Sequence, residues 1–125
     1  MKDDPISKVM QNRPLTIGMD DTVQAAEAFF NSEGLSWAPV VGNAGEPVGV
    51  LSADDLMRFH VANRDAANTA AWLLCTYRPV CVPPDTTISA VAKLMVSRKI
   101  HHVVITEDGD LRGVVSSLDL VRTLI

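Results

Sequence analysis

The chain has few of the features that mark secreted or membrane proteins. Only two cysteines, Cys75 and Cys81, occur in 125 residues, which is too few for a disulfide framework. No apolar run approaches the ~18 residues that span a bilayer, and the charged N-terminus lacks the apolar stretch of a signal peptide. We therefore expect a cytoplasmic protein with no membrane partner.

Positive charge is not concentrated anywhere in the sequence. The formal net charge is −4, and the 11 lysine and arginine residues are scattered. Nucleic-acid-binding proteins usually carry a concentrated basic face, so we expect no nucleic-acid partner. Hydrophobic content of 47% with 21% charged residues is typical of a globular protein and excludes a disordered one.

Signatures of catalysis and of metal binding are missing as well. The sequence has no glycine-rich phosphate loop of the form G-x-x-x-x-G-K-[ST] and no Cys-x-x-Cys pair. The adjacent His101 and His102 would point to opposite faces of a strand, which argues against a shared metal ion. Cys81, in an apolar segment, is interpreted as a small buried residue. We expect no enzyme activity, no metal site and no required cofactor.

The sequence does contain an internal repeat. Gly49–Leu56 reads GVLSADDL, and Gly113–Leu120, 64 positions later, reads GVVSSLDL. Upstream of a one-residue deletion the offset is 65, so that Arg13-Pro14 recurs as Arg78-Pro79. Two copies are too few for an open repeat array, so we predict two pseudo-symmetric units packed as a pair.

The predicted copies, residues 1–62 and 63–125, share one order of elements. Hydrophobic spacing predicts the order helix, strand, helix, strand, strand and helix in each. Asp21 and Thr86 are predicted to cap the first helices, and residues 61–74 are predicted to form a helical linker. The longer strands are predicted at Trp37–Val41, Pro47–Leu51, His102–Thr106 and Leu111–Val115. The expected fold class is α/β (α+β), with two small sheets that are each covered by their own helices.

A Ser-x-x-Asp pattern follows the last strand of each copy, as Ser52 with Asp55 and as Ser116 with Asp119. A serine that opens a helix lies beside unpaired backbone N–H groups, which favour a phosphate. A carboxylate one turn later can accept hydrogen bonds from both hydroxyls of a ribose. The same pattern also fits a capping box with no ligand, so the motif alone leaves both interpretations open.

The repeated G-hydrophobic-hydrophobic-S-x-x-D-L motif resembles the signature of the cystathionine-β-synthase (CBS) domain. The Arg-Pro pairs and the strand Ala38–Val41 fit the same pattern, and the resemblance covers nearly the whole chain. Members of this family pair two motifs into a Bateman module and bind AMP, ADP, ATP, S-adenosylmethionine or similar ligands between the sheets. The resemblance therefore implies a regulatory sensor of adenine nucleotides that signals to an unidentified effector protein.

The resemblance also implies a set of ligand-binding residues. These are Thr16, Ser36, Trp37, Ser52, Asp55, Cys81, His101, His102, Ser116 and Asp119. The two aspartates match ribose-binding positions, and the two serines of the motif match hydroxyl groups near the phosphate. Thr16 and Cys81 match strand positions beside the base.

The remaining four residues match positions that reach the phosphate held at the other copy's aspartate. His101 and His102 would then serve Asp55, whereas Ser36 and Trp37 would bring no cation to Asp119. We therefore expect Asp55 to define the better site. Phosphate affinity there is expected to strengthen below about pH 6.5, the ordinary pKa of histidine.

A homodimer is expected from an apolar patch. Trp72, Leu73 and Leu74, together with Phe59 and Ile125, favour an interface between copies of the chain. The alternative hypothesis for the function is a dimerisation or interaction module whose clefts stay empty. In that case the Ser-x-x-Asp pairs would act only as helix caps.

Overall fold

The structure is a computed structural model that describes residues 2–77 and 79–124. By its internal contacts the chain divides into two compact units. We call residues 15–79 the N-unit, and residues 1–14 with 80–125 the C-unit. Each unit is a small four-stranded sheet covered by helices, which confirms the expected mixed α/β class.

The elements follow the same order in both sequence repeats. In chain order they are β1 (Gln11–Asn12), β2 (Ile17–Gly18), α1 (Val23–Glu33), β3 (Trp37–Val41), β4 (Pro47–Ser52), α2 (Ala53–Val61), β5 (Thr76–Tyr77), β6 (Cys81–Val82), α3 (Ile88–Arg98), β7 (His102–Glu107), β8 (Asp110–Ser116) and α4 (Ser117–Leu124). The sheet order is β2-β3-β4-β5 in the N-unit and β6-β7-β8-β1 in the C-unit. In each sheet the first pair of strands is parallel and the other two pairs are antiparallel.

Both first helices begin at a threonine one residue later than predicted. Thr22 and Thr87 are the N-caps, and their hydroxyls accept from the backbone N–H three residues on, at 3.1 Å in each case. Asp21 is not the cap because its carboxylate accepts instead from Gly18 N–H at 2.9 Å, at the end of β2. Gly34 ends α1 at a φ of 65°, a conformation that glycine adopts without steric cost.

The apolar faces of the helices pack against the cores of their units. In the N-unit, α1 and α2 bury their apolar faces against β2, β3 and β4, and in the C-unit α3 and α4 do the same against β7 and β8. The buried helix residues are Val23, Ala26, Phe30, Leu56 and Phe59 in one unit, and Ile88, Val91, Met95 and Leu120 in the other. Continuous apolar strands such as Val103–Ile105 supply the opposing surface.

The prediction of a helical linker is wrong. Helix α2 ends at Val61, and the chain then forms two separate 3₁₀ turns, at Ala66–Asn68 and Ala71–Leu73. The Asp65 side chain accepts from Ala67 N–H at 3.2 Å, and such local side-chain bonds compete with continued helix. The segment is also tied to the start of α1, because the N–H of Val23 donates to Thr69 at 2.8 Å.

The leading segment of each repeat packs on the body of the other repeat. Pro5 bridges Thr87, and Ile6 is completely buried in the core of the C-unit. At the offset of 65, Ala70 bridges Thr22, and Ala71 is completely buried in the core of the N-unit. The compact units are therefore cut at other points than the division into 1–62 and 63–125, which stays a prediction about the sequence repeats.

The apolar patch predicted around Trp72 is mostly part of the N-unit core. Phe59 is buried, and the partly buried Trp72 and Leu74 pack against the same cluster, so that Leu73 is the exposed member. Ile125 lies outside the described residues. The homodimer therefore stays a proposal that this patch does not support.

Ile6 tests whether the leading segment stabilises the C-unit. Ile6→Ala should lower the free energy of unfolding by about 3 kcal/mol, because it leaves a cavity in a core that the segment completes. Urea unfolding followed by circular dichroism measures this change. Val96→Ala, at a side chain 79% exposed on α3, is the control and should change stability by less than about 0.5 kcal/mol. Equal effects of the two substitutions would contradict the role given to Ile6.

Candidate functional site

The junction between β4 and α2 is a complete capping box. Ser52 has extended backbone angles, and its Oγ accepts from Asp55 N–H at 3.2 Å. In return, Asp55 Oδ2 accepts from the backbone N–H and from the hydroxyl of Ser52, both at 2.9 Å. Within the described part of the chain, the other carboxylate oxygen, Oδ1, takes no part in the cap.

The junction between β8 and α4 repeats this geometry. Asp119 Oδ2 accepts from Ser116 N–H at 2.8 Å, and Ser116 Oγ accepts from Asp119 N–H at 3.1 Å. Each aspartate thus uses Oδ2 for the cap, and Oδ1 takes no part in it. The capping interpretation is confirmed, and it leaves one acceptor per carboxylate for a ligand.

The residues at the start of β3 and of β7 lie beside the Ser-x-x-Asp motif of their own unit. Trp37 pairs with Ser52 between β3 and β4, and Ala53 N–H donates to the Ser36 carbonyl at 2.8 Å. In the C-unit, His102 pairs with Ser116 across β7 and β8. The Ser117 N–H likewise donates to the His101 carbonyl at 2.8 Å. That these residues serve the other copy's aspartate stays a prediction.

Thr16 and Cys81 lie at the first strand of each sheet. Thr16 directly precedes β2, and Cys81 begins β6, paired with Val104. The expectation that Cys81 is buried is wrong, since β6 is a two-residue edge strand and the residue is exposed. Partial burial of the sulfur still raises the pKa of the thiol, while a hydrogen bond with the Thr106 side chain lowers it. The thiol is therefore protonated at neutral pH.

His102 is neutral at physiological pH in this structure. Burial, and secondarily the nearby His101, lower its pKa from 6.5 to about 4, against a smaller opposing effect of Asp119. Desolvation of the partly buried imidazole outweighs the attraction of the carboxylate. The pH window near 6.5 expected from the sequence is therefore wrong for His102.

Two arginines at matched positions differ in their acidic partners. Arg58 Nη2 lies 2.8 Å from Asp54 Oδ2. At the offset of 64, Leu118 replaces Asp54, and Arg122 Nη1 lies 3.8 Å from Asp119 Oδ1, the oxygen that the cap leaves over. This difference between the two arginines was not predicted from the sequence. The signal was available, since Asp54 and Arg58 have the i, i+4 spacing of a helical ion pair and Leu118 and Arg122 do not.

Asp55 also borders a cavity of about 290 Å³ within the N-unit. Its lining comprises Asp55, Arg58, Phe59, Ala62, Arg64, Leu73 and Leu74. Arg64 lies over the Phe59 ring, with its guanidinium carbon 5.6 Å from the ring centroid. The volume is near the lower end of small-molecule sites, and two guanidinium groups make the surroundings suitable for an anionic ligand.

Among residues 2–77 and 79–124, no group of three or more His, Cys, Asp or Glu side chains could hold a metal ion. Likewise, none of the described helices has the length and apolar character needed to cross a membrane.

Comparison with protein families identifies the class. The CBS domain model matches residues 6–62 and residues 73–125. The chain therefore belongs to the CBS domain family and carries two copies of the domain. The division of the sequence into two related halves agrees with the two four-stranded sheets of identical order.

Relatives and solved structures agree with this assignment. Uncharacterized protein MJ1426 of Methanocaldococcus jannaschii is 24% identical, over 94% of this chain and 90% of the relative. Three other relatives from that organism are longer, and the chain spans 32% to 44% of their length. The activities of those whole proteins therefore concern this chain only as proposals.

Three structures of CBS proteins with bound ligands share the fold. The CBS domain of a bacterial CNNM/CorC family Mg²⁺ transporter, in complex with ATP, has a TM-score of 0.88 at 22% identity, covering 97% of this chain and 87% of that one. CBSX2 in complex with AMP has a TM-score of 0.86 at 20% identity, covering 97% and 96%. The CBS domain pair of protein MJ0100, in complex with 5′-methylthioadenosine and S-adenosylmethionine, has a TM-score of 0.85 at 19% identity, covering 96% and 94%.

The low pKa of His102 has a measurable consequence for stability. Because the folded-state pKa, about 4, is below the unfolded value of 6.5, the unfolded state binds more protons between these values. Stability should therefore fall as the pH drops from about 6.5 to about 4, and His102→Gln should make that fall smaller. Urea unfolding at several pH values measures the slope.

Proton NMR of the imidazole ring gives a direct check. The His102 titration midpoint should lie near pH 4 and should rise in His101→Gln, because a neighbouring cation is removed. A midpoint near 6.5 in the wild-type protein would contradict the burial of the ring.

Proposed function

We propose that the chain is a regulatory sensor that binds adenosine-containing nucleotides at its Ser-x-x-Asp junctions. The proposal is carried by one observation: each capping box uses Oδ2 of its aspartate and leaves Oδ1 as an acceptor. It is supported by the ligands of similar proteins, which are AMP, ATP, 5′-methylthioadenosine and S-adenosylmethionine.

The chemistry of the site is recognition without catalysis. Asp55 Oδ1 would accept from the ribose hydroxyls in charge-assisted hydrogen bonds, which are stronger than neutral ones. Thr16 would lie beside the base, and Ser52 with the first N–H groups of α2 would face the phosphate. In the second site Asp119, Cys81 and Ser116 would take these roles. The phosphate is also proposed to reach His101 and His102 at the Asp55 site, and Ser36 and Trp37 at the Asp119 site.

Asp55 is proposed as the better of the two sites. Asp54 pairs with Arg58 at 2.8 Å, so that this guanidinium has a carboxylate partner other than Asp55. At Asp119 the matched Arg122 lies 3.8 Å from Oδ1. A ribose would have to displace that arginine. Exposed ion pairs contribute up to about 1 kcal/mol, which corresponds to as much as a fivefold difference in affinity.

Signalling would follow from a difference in affinity between two arrangements of the protein. A ligand shifts such an equilibrium only by its differential contacts with the two states. We propose that the sensor works as a cytoplasmic homodimer and passes this shift to an effector protein. The alternative, an interaction module without ligand, is favoured by the completeness of both capping boxes, which satisfy Ser52 and Ser116 unaided.

Calorimetric titration with AMP, ADP, ATP and S-adenosylmethionine separates the two functions. Asp55→Asn keeps one oxygen for the cap but presents an amide nitrogen where the ribose acceptor stood. The dissociation constant of the Asp55 site should rise by about 10- to 100-fold, the effect of losing one or two charge-assisted hydrogen bonds, while unfolding changes little. Asp119→Asn should affect the other site alone.

Asp20→Asn is the matched control for the loss of one charge, since Asp20 is an exposed loop residue outside both junctions. It should leave the affinity for every nucleotide unchanged. Absence of binding heat with all four ligands, in a folded wild-type protein, would contradict the sensor and support the interaction module.

The difference between the two arginines predicts a reciprocal effect. Arg122→Gln removes the cation near Asp119 and should strengthen nucleotide binding there about two- to fivefold. Asp54→Leu copies the second repeat into the first, frees Arg58 to approach Asp55 and should weaken that site by a similar factor. Calorimetry in low-salt buffer measures both changes, since salt screens exposed charges. Unchanged constants in both variants would show that the arginines do not compete with the ligand.

A further inference from the structure

The C-unit contains a second cavity, at the opposite end of β7 from the Ser116–Asp119 junction. It has a volume of about 660 Å³, and its lining includes Ser7, Cys81, Pro84, Asp85, Thr106 and Asp108. His102, beside Ser116, begins the strand, and Glu107 ends it. The five steps of extended chain from His102 to Glu107 span about 17 Å. The cavity therefore shares Cys81 with the proposed second nucleotide site, while the rest of its lining lies away from the Ser116–Asp119 junction.

The internal repeat identifies the residues of the N-unit that correspond to the lining of this cavity. Ser7, in the lining of this cavity, corresponds at the offset of 65 to Trp72. Trp72 is partly buried and packs with Met19 against the N-unit core, on a 3₁₀ turn that lies against β2. Met19 in turn corresponds to Pro84 of the cavity wall. The C-unit thus has an opening where the N-unit has an indole ring.

The polarity of the lining restricts what can enter. Val82, Pro83 and Pro84 supply apolar walls, and no lysine or arginine lines the cavity among the described residues. Three carboxylates, those of Asp85, Glu107 and Asp108, stand at the lining. Arg112 pairs with Glu107 at 3.3 Å, which leaves two aspartates as the principal charges. These surroundings repel phosphates and favour a cation.

We propose that this cavity binds a small aromatic amine. The flat ring would occupy the position that the Trp72 indole has in the other unit, between the proline walls. The ammonium group would lie toward Asp85 and Asp108, and the Ser7 and Thr106 hydroxyls would supply hydrogen bonds to a polar ring atom. The site shares only Cys81 with the proposed nucleotide sites and selects for the opposite charge.

Three compounds that share the indole ring and differ in charge test the proposal. Tryptamine, indole and indole-3-acetate are titrated at pH 7 in low-salt buffer, with chemical shifts followed by NMR. Tryptamine should bind at least tenfold more tightly than indole-3-acetate, with indole between them, and the range should narrow in high salt. Shifts should concentrate at residues 82–85 and 106–108. Equal affinity of the three, or shifts elsewhere, would overturn the proposal.

Substitution of Ser7 provides the structural test. Ser7→Trp should fill the cavity with the residue of the other repeat, raise the melting temperature and abolish tryptamine binding, whereas Ser7→Ala should keep it. Nucleotide binding should be unchanged in both variants. If Ser7→Trp does not fold, the double variant Asp85→Asn with Asp108→Asn replaces it and should weaken tryptamine at least tenfold without affecting indole. Retained tryptamine affinity in Ser7→Trp, or in the double aspartate variant where that replaces it, would overturn the proposal.

Cys81 offers a readout that locates the probe. It is the exposed one of the two cysteines, and it belongs to the lining of the cavity. Because burial raises the pKa of its thiol, alkylation by iodoacetamide is followed at pH 8.5, where the thiolate fraction is larger. Saturating tryptamine should slow the alkylation severalfold, and an unchanged rate would place the probe outside the cavity.

Discussion

Neither repeat completes its own hydrophobic core, and the rest of the structure depends on this constraint. Units of about 60 residues bury too little surface to be stable with any part missing. Ile6, at the start of the first repeat, is completely buried in the C-unit, and the matched Ala71 of the second repeat is completely buried in the N-unit. The exchange ties both sheets to one continuous chain. Most residues that precede β2 therefore belong to the C-unit, and most residues between α2 and β6 belong to the N-unit. This explains why the chain between α2 and β5 cannot remain a free helical linker.

The carboxylates of Asp55 and Asp119 combine a structural role with a proposed recognition role because they have two oxygens. The structural role engages Oδ2 with the serine at the end of the preceding strand. Any role in binding falls to Oδ1, whose availability depends on the neighbouring arginine. The acidic Asp54 holds Arg58, whereas Leu118 cannot hold Arg122. A residue that touches no ligand would thus contribute to the proposed difference between the two sites.

Local patterns in the sequence predicted the local parts of the fold well. The bounds of β3 and the Ser52–Asp55 box follow from a continuous apolar run and from capping chemistry within a few residues. The errors concern features that distant contacts decide. The Ala-rich stretch after α2 is held by bonds to the start of α1, and Cys81 is exposed because its strand lies at a sheet edge. The pKa of His102 depends on how deeply its own unit encloses the ring, which the composition of the strand does not contain.

The duplication also supplies an internal comparison that separates the needs of the fold from other needs. Both units have the same strand order and the same caps, so a matched position that differs is one that the fold does not dictate. Trp72 shows that this fold accepts a large ring beside β2 and stabilises itself by packing it. An open cavity beside β6 forgoes those dispersion contacts, since its lining atoms have no partners on one side. The acidic lining would not favour burial of the C-unit's own apolar side chains, but it suits an incoming cation. The difference between Ser7 and Trp72 is therefore better explained by an occupant from outside the chain than by folding alone.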